Sequence, residues 1–453
     1  MIEYRPYQRQ LRDALRASFS AGNRRVLAVS PTGSGKTVLF ALTAKAAAER
    51  GSTVAVVAHR QEIIDQISGT LSAVGVQHGF CVAGRPSAPA KVFVASIQTL
   101  ARRIGSMPAP DLVILDEAHH AVSATYTGVM AAWNTSKVLG VTATPERLDG
   151  RGLRSAFDDM VLGPTVEWLV SEGFLARPVY YAPGAMPDLS GVRKTAGDFN
   201  KADLAGVVDK PAITGDAVSH YSRIVAPRPA VAFCISVNHA ENVAARFREA
   251  GVAAMSIDGS MDPDKRRGIV NALRDGKLGV MTSCELVSEG FDLPAVGGAI
   301  LLRPTASLSM HLQQVGRALR PCPGKSEAVI LDHVGNCLRH GLAEDERAWS
   351  LDGRPARKKG EATVAVRQCD KCFNVFRGEK CPRCGKETKP EAREIDEKDG
   401  ELVKMSHERL AEIHEKRREE WSCKTLTDWM NLARKRGYKP GWAYHRFAAR
   451  GRG

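Results

Sequence analysis

Four groups of side chains have the types and spacing to do chemistry. The first is Ser-Pro-Thr-Gly-Ser-Gly-Lys-Thr at 30–37, set between an apolar run of strand length and a helix-like run that stops at Gly51. Gly33 and Gly35 let the backbone of Thr32, Gly33, Ser34 and Gly35 curl so that its N–H groups converge on an anion. The start of the following helix adds its positive end. Lys36 would reach the β- and γ-phosphates of a nucleoside triphosphate, and the Thr37 hydroxyl would hold Mg²⁺. Ser30 stands where the loop pattern has glycine, and its small size keeps the loop tight. The second group is Asp116 and Glu117, which end the apolar run Leu-Val-Ile-Leu. Carboxylates at the C-terminal edge of a parallel sheet lie where ligands bind. Asp116 suits Mg²⁺, and Glu117 suits activation of an attacking water.

The third group is Arg317 and Arg320 in Gln-Gln-Val-Gly-Arg-Ala-Leu-Arg. They stand one helical turn apart and so project from one face. Brought across a cleft onto a γ-phosphate, such guanidinium groups stabilise transition-state charge. The fourth is Cys369, Cys372, Cys381 and Cys384, two Cys-x-x-Cys pairs separated by eight residues. Four thiolates at that spacing suit structural Zn²⁺ in a closed, non-catalytic site. The remaining cysteines, Cys81, Cys234, Cys284, Cys322, Cys337 and Cys423, are scattered and read as small core residues.

The elements that must position these groups show a βαβ rhythm. "RVLAV", "TVAVVA", "KVFVAS", "DLVILD" and "KVLGVT" recur up to about residue 165. The rhythm returns with "AVAFCIS", "AAMSID", "LGVMTS", "GAILLR" and "EAVILD". Two doubly wound parallel-sheet domains with a cleft between them follow. The stretch between them is rich in Gly, Pro and Asp and predicts an irregular connector. The expected divisions are 1–165, a connector at 166–215, a second domain at 216–345, a zinc ribbon at 362–390, a charged linker or helix at 391–420 and a basic aromatic tail at 421–453.

Over about residues 1–340 the chain resembles the superfamily 2 helicases, on motifs in the family's order. "RPYQ" resembles the adenine-recognition element, with Gln8 reading the base. "AHRQE", with His59 and Arg60, and "SIQTL", with Ser96, Gln98 and Thr99, resemble strand-contacting motifs. "LDEAHH" is similar to a DEAH box, and "TATP", with Thr142 and Thr144, to the motif coupling ATP and nucleic-acid sites. Ser236 and Thr282 fall where the second domain contacts nucleic acid. "SEGFDLP" is similar to motif V, with Gly290 and Asp292 near the nucleotide, and "QQVGRALR" to motif VI. The resemblance implies two RecA-like domains and an ATP- and Mg²⁺-dependent motor. "AHRQE", "TAT" and the Gln at 313 depart from the RNA-directed DEAD-box pattern and favour DNA. The stretch 301–336 is most similar to RadD-like bacterial repair helicases and related phage or prophage helicases. The implied function is an ATP-dependent DNA helicase or translocase in repair, recombination or phage DNA metabolism. An ATP-switched binding protein without unwinding, or an RNA helicase, are the competing readings.

Bulk properties agree. The chain has 453 residues, enough for several cores, and a formal net charge of +14. From 421 to 453 there are eight Lys/Arg against one Asp, a net +7. There Trp429, Tyr438, Trp442, Tyr444 and Phe447 interleave with cations. Such residues can stack on bases of single-stranded or branched DNA, or form the core of a small helical hairpin, which is the reading for Trp429. The basic ribbon segment can meet nucleic acid or a repair or replication protein, or simply pack. No apolar run reaches membrane-span length, and a cytoplasmic place is expected.

Overall fold

A computed structural model of the chain describes residues 2–86, 90–147, 150–182, 189, 191–195, 197–208, 217–284, 296–353, 367–369, 372, 374–378, 380–387, 419, 423, 425–438 and 443. The chain forms two compact units, 1–388 and 389–453. Gly290, Asp292, most of the charged stretch 391–420, and Trp442, Tyr444 and Phe447 lie outside the described residues.

The larger unit holds two sheets. The first contains β1 (Arg25–Val29), β2 (Val54–Ala58), β3 (His78–Cys81), β4 (Val92–Ser96), β5 (Leu112–Asp116), β6 (Lys137–Thr142) and β7 (Asp159–Leu162). Its order is β3-β4-β2-β5-β6-β1-β7, and every pairing is parallel. Its strands are runs of Val, Leu, Ile and Ala because both faces are covered. Val26, Ala28, Val54 and Val56 pack with Leu39, Phe40, Ile63 and Ile67 of the helices Lys36–Glu49 and Gln61–Ala73. Leu27, Val29, Ala55 and Val57 face the other way, onto Leu100, Tyr126 and Val129. All strands being parallel, the segments Ser30–Thr37, His59–Arg60, Glu117–His120 and Thr142–Thr144 leave one and the same edge.

The second sheet differs from the expected plan. The segment expected to be an irregular connector supplies β8 (Arg177–Tyr181) and a hairpin, β9 (Lys194–Thr195) and β10 (Asp198–Phe199). Further on come β11 (Ala230–Phe233), β12 (Ala254–Ile257), β13 (Val280–Ser283), β14 (Gly298–Leu301), β15 (Glu327–Asp332), β16 (Arg367–Gln368) and β17 (Asn374–Phe376). The order is β12-β13-β11-β14-β15-β8-β17-β16. β8 pairs parallel with β15, and β17 pairs antiparallel with β8. Connector and cysteine ribbon are therefore extensions of the second domain's sheet. The hairpin is tied down by Asp198, which is buried. It accepts from Arg303 Nη2 (3.0 Å), Thr305 Oγ1 (2.9 Å) and the Ala306 N–H (2.6 Å). Removing one partner of so buried a pair typically costs about 3–5 kcal/mol.

In the smaller unit, the helix Leu426–Lys435 is capped by Thr425, whose Oγ1 accepts from the Asp428 N–H (3.2 Å) while the Asp428 carboxylate accepts from the Thr425 N–H (2.8 Å). Trp429 is buried with Cys423, Leu432, Ala433 and Ala443, so it serves the unit's own core. Glu419 accepts from Lys435 (2.5 Å) and Arg436 (2.9 Å). Among the described residues no helix is long and apolar enough to cross a membrane.

Candidate nucleotide site at the seam between the two sheets

The loop 30–37 is braced from below by the helix Pro6–Ser20. Tyr7 Oη donates to the Ser34 carbonyl (2.8 Å), and Gln8 Nε2 donates to the carbonyls of Ser34 (3.2 Å) and Gly35 (3.0 Å). Gln8 Oε1 accepts from the Arg5 N–H (2.9 Å). Both ends of the Gln8 amide thus engage protein groups, and the side chain holds the loop's shape. Gly35 has φ +77°, and a Cβ there would lie 2.7 Å from Gln8 Nε2. Ser30 has a use that the loop pattern does not foretell. It is buried and donates to Ser34 Oγ (2.7 Å), which donates to the Pro31 carbonyl (2.7 Å). Lys36 Nζ donates to the same carbonyl (3.2 Å). Burial lowers the Lys36 pKa. The charges of Glu117 and Asp116 oppose that shift, and those of Arg317 and Arg320 add to it.

Asp116 ends β5, where burial and then the Glu117 charge push its carboxyl up to about 6. Glu117 sits at φ +48°, the left-handed region. A non-glycine residue there costs on the order of 1–3 kcal/mol and persists only where its surroundings enforce it. Here the Glu117 N–H donates to Asp116 Oδ1 (3.0 Å). His119 Nδ1 lies 3.4 Å from the Glu117 carboxylate and 3.4 Å from Thr142 Oγ1. Thr142 Oγ1 donates to the Thr144 carbonyl (2.9 Å).

The second sheet's helix Leu308–Ala318 closes this site. Thr144 Oγ1 and Ser309 Oγ, both buried, share a hydrogen bond of 2.6 Å across the seam. Gly316 lies directly on the loop, where a Cβ would come 2.5 Å from Thr32 Cβ. A Cβ on Gly33 would meet Leu175 Cδ2 at 2.9 Å and Arg320 Cγ at 3.7 Å. Arg317 is buried in the same helix, which ends at Ala318, so Arg320 lies two residues past the helix and not on it as the sequence spacing predicted. Farther along the seam, Arg266 pairs with Glu62 at 2.9 Å. The structure thus gathers Lys36, Asp116, Glu117, Arg317 and Arg320 around one loop. Sequence reasoning missed Ser309 and Leu175, since a lone hydroxyl or leucine outside a motif carries no signal.

The expected strand-contacting residues divide. The His59 ring meets His120 edge-on at 4.7 Å, and His120 lies 4.1 Å from His119, so His59 adjoins the acidic site. Arg60 Nε donates to His59 Nε2 (3.2 Å), Gln98 Nε2 to the His59 carbonyl (3.3 Å), and Ser96 Oγ to Gln98 Oε1 (2.7 Å). Thr99 is buried in the helix Ile97–Arg103. Ser236 caps the helix Val237–Glu249, its Oγ accepting from the His239 N–H (3.1 Å). Thr282 is fully buried and donates to the Ala240 carbonyl (2.8 Å), so its hydroxyl serves the interior and not a strand-binding surface.

The four ribbon cysteines come together with all Sγ atoms within 4.8 Å. Cys369 and Cys384 are 3.5 Å apart, and Cys372 and Cys381 are 3.6 Å apart. Tetrahedral Zn–S bonds of about 2.3 Å put sulfurs about 3.8 Å from one another, so the cluster fits. Burial and then the neighbouring thiols push Cys372 up to about 12. Phe376 packs on this cluster. Of the other cysteines, Cys322 is exposed and Cys284 half-buried, contrary to the core expectation, while Cys81, Cys234, Cys337 and Cys423 are buried.

Residues 1–147 match the family profile "Type III restriction enzyme, res subunit", and residues 216–322 match "Helicase conserved C-terminal domain". A 51.5 kDa protein of a Lactococcus phage is 32% identical over 79% of this chain and 76% of its own. The chain belongs to the superfamily 2 helicases. A second relative of this helicase, from Saccharomyces cerevisiae, carries the description "Putative ATP-dependent helicase IRC3". It is 27% identical over 73% of this chain, which spans only 51% of that protein. Among solved structures, a fragment of an HsdR-type subunit of a type I restriction enzyme from Vibrio vulnificus YJ016 has the same fold. Its TM-score is 0.59, with 19% identity, covering 74% of this helicase and 65% of the fragment.

Proposed function

We propose that this helicase hydrolyses ATP between its two RecA-like domains to move on, or unwind, DNA. The observation that carries the reading is the seating of Gly316 on Thr32, which sets Arg320 beside the phosphate loop. In this mechanism the loop's N–H groups and Lys36, buried beside Glu117 and Asp116, bind the phosphates. Mg²⁺, held through Thr37 and Asp116, would screen phosphate charge. Glu117 takes the proton of the attacking water, while His119, bridging toward Thr142, orients that carboxylate. Arg317 and Arg320 stabilise transition-state charge, an effect typically of about 10³–10⁵ in rate. Thr142, bonded to the Thr144 backbone, and the Thr144–Ser309 hydroxyl pair link the acidic site to the helix that carries Arg317 and leads to Arg320, so hydrolysis and domain closure proceed together.

DNA is favoured by the departures from the DEAD-box pattern and by the net charge of +14. Single-stranded or branched DNA, a role in bacterial repair or phage DNA metabolism, a protein partner in that work and a cytoplasmic place belong to the same reading. So does a structural Zn²⁺ in the cysteine cluster. The test is ATP turnover and strand displacement with single-stranded, forked and duplex DNA and with RNA. Turnover raised by DNA supports the reading, with displacement separating a helicase from a translocase. Turnover raised by RNA alone, or no turnover, overturns it.

A further inference from the structure

After the helix Asn336–His340 the chain leaves the second domain, crosses to the first, and comes back. Leu342 and Ala343 still lie in the second domain's core. The Ala343 N–H donates to Tyr180 Oη (2.9 Å), and Tyr180 donates to the Glu344 carboxylate (2.9 Å). Asp345 accepts two bonds from Arg377 of the cysteine ribbon, at 2.8 and 2.5 Å. Six residues later Leu351 is 3% exposed, and it is buried in the core of the first domain with Leu153 and Phe157. There Arg154 grips the chain three times, from its N–H to the Leu351 carbonyl (2.9 Å) and from Nε and Nη2 to Asp352 (3.1 and 3.2 Å). Gly152 and Gly353 stack backbone on backbone. A Cβ on Gly152 would collide with the Leu351 carbonyl, and one on Gly353 would lie 2.8 Å from the Gly152 nitrogen. By β16 and β17 the chain is again on the edge of the second sheet.

Residues 342–353 thus form a strap that starts in the second domain's core at Leu342 and Ala343 and docks on the first domain at its other end, through Leu351 and Gly353. Beneath it lies a cavity of about 180 Å³, walled by Thr32, Ala143, Leu312 and Gly316 of the seam and by Arg347 and Trp349 of the strap. The strap therefore faces the phosphate loop and the helix Leu308–Ala318 across this cavity. The six residues from Asp345 to Leu351 reach at most about 21 Å when fully extended, so a wide opening must break one of the two grips.

We infer that this strap is a positioning element of the ATPase seam. It holds the nucleotide-free domains near the closed register, with Leu351 and Gly353 as its grip on the first domain and the Arg377–Asp345 pair tying it to the cysteine ribbon. The inference rests on the ATPase reading for its kinetic consequence but not for its structural one. The exposed Arg154–Asp352 pair contributes little alone, as surface ion pairs do, so the grip depends on Leu351 and the close backbone contact.

The experiment places probes through unnatural side chains at exposed Arg50 and Lys277, one in each domain, and measures the distance distribution in the full chain with and without a non-hydrolysable ATP analogue. Leu351→Ala releases the first-domain grip. Arg377→Ala releases the ribbon grip without touching the first domain, and so covers the case in which Leu351→Ala folds poorly. Either release should broaden the nucleotide-free distribution toward longer distances and leave the analogue-bound one near wild type. Because the closed, binding-competent fraction falls, KM for ATP should rise about threefold to tenfold with kcat at saturating ATP and DNA little changed. A merely structural lesion would lower kcat with the active fraction and leave KM alone. A wild-type distance distribution and KM in folded Arg377→Ala and Leu351→Ala would overturn the inference. If the wild type hydrolyses no ATP, the ATPase reading falls while the distance measurement still decides the strap.

Discussion

Gly316→Ala separates stability from activity in opposite directions. Gly316 lies within the helix Leu308–Ala318, where alanine is favoured over glycine by about 0.8–1.0 kcal/mol. The second domain alone should therefore hold or gain stability. Across the seam the new methyl would come 2.5 Å from Thr32 Cβ, 3.0 Å from its Cγ2 and 3.2 Å from its Oγ1. Thr32 cannot rotate its own Cβ away, and the loop around it is pinned by Ser34 and Lys36 bonding to the Pro31 carbonyl. Relief requires the helix to retreat by roughly 1 Å, and overpacking of this kind costs about 1–3 kcal/mol. The same retreat withdraws Arg320 from the loop. At 1.4 kcal/mol per decade, DNA-stimulated kcat should fall about 5- to 150-fold. Steady-state ATPase and thermal unfolding, measured on one preparation, check this. Full turnover would refute the seam contact, and a loss of turnover matched by a lower Tm would show that the glycine serves folding.

Glu117→Gln should bind ATP and hydrolyse it poorly, since an amide takes no proton, and normal turnover by this variant would remove Glu117 as the base. Asp116 sets a pH dependence. Its folded pKa, about 6, lies above the usual 3.8, so without metal the fold binds the extra proton between these values and gains stability as pH falls through them. Turnover should thus decline as pH drops through about 6, with a midpoint that moves lower as Mg²⁺ is raised, and Asp116→Asn should be inactive yet more heat-stable at pH 7. A midpoint indifferent to Mg²⁺ counts against that role. Purified protein should carry one Zn²⁺ per chain by metal analysis, and Cys381→Ser should lose it. Deletion after Glu420 should weaken DNA binding and flatten its salt dependence, with turnover at saturating DNA unchanged. An unaltered salt slope would make the tail's charge a solvated face.

The legible parts of this chain are those whose physics is local. Gly33, Gly35 and Lys36 announce a phosphate loop because curling, anion and helix start all lie within eight residues. Strands such as β5 and β15 could be read as strands because burial on both faces demands continuous Val, Ile and Leu. β8 reads Arg-Pro-Val-Tyr-Tyr, and a proline inside so short a run argues against a strand. It is held by pairing to β15, 150 residues farther on in register, which no local pattern encodes. Gln8 and Thr282 show the complementary limit. Resemblance points to the motif, but whether an amide or hydroxyl is spent on the loop's carbonyls or on Ala240 depends on three-dimensional neighbours. Leu351 looks like any tail leucine until the first domain closes over it.

The contacts that cross the seam are weak individually, and that suits a motor. Apart from the strap, among the described residues they include one buried hydroxyl pair, Thr144–Ser309, one ion pair, Arg266–Glu62, and the close approaches of Gly316 and Leu175 to the loop. A neutral hydrogen bond nets about 0.5–1.5 kcal/mol and a partly exposed ion pair about as much or less. A seam built from such terms leaves open and closed states within a few kcal/mol of each other. A ligand can shift that balance only by the difference in its affinity for the two states. In the proposed mechanism, phosphates gripped by Lys36 on one side and Arg320 on the other would supply that difference. A seam apolar along its whole length, and not only at the Leu351 grip, would hold the domains shut without nucleotide and leave hydrolysis nothing to release.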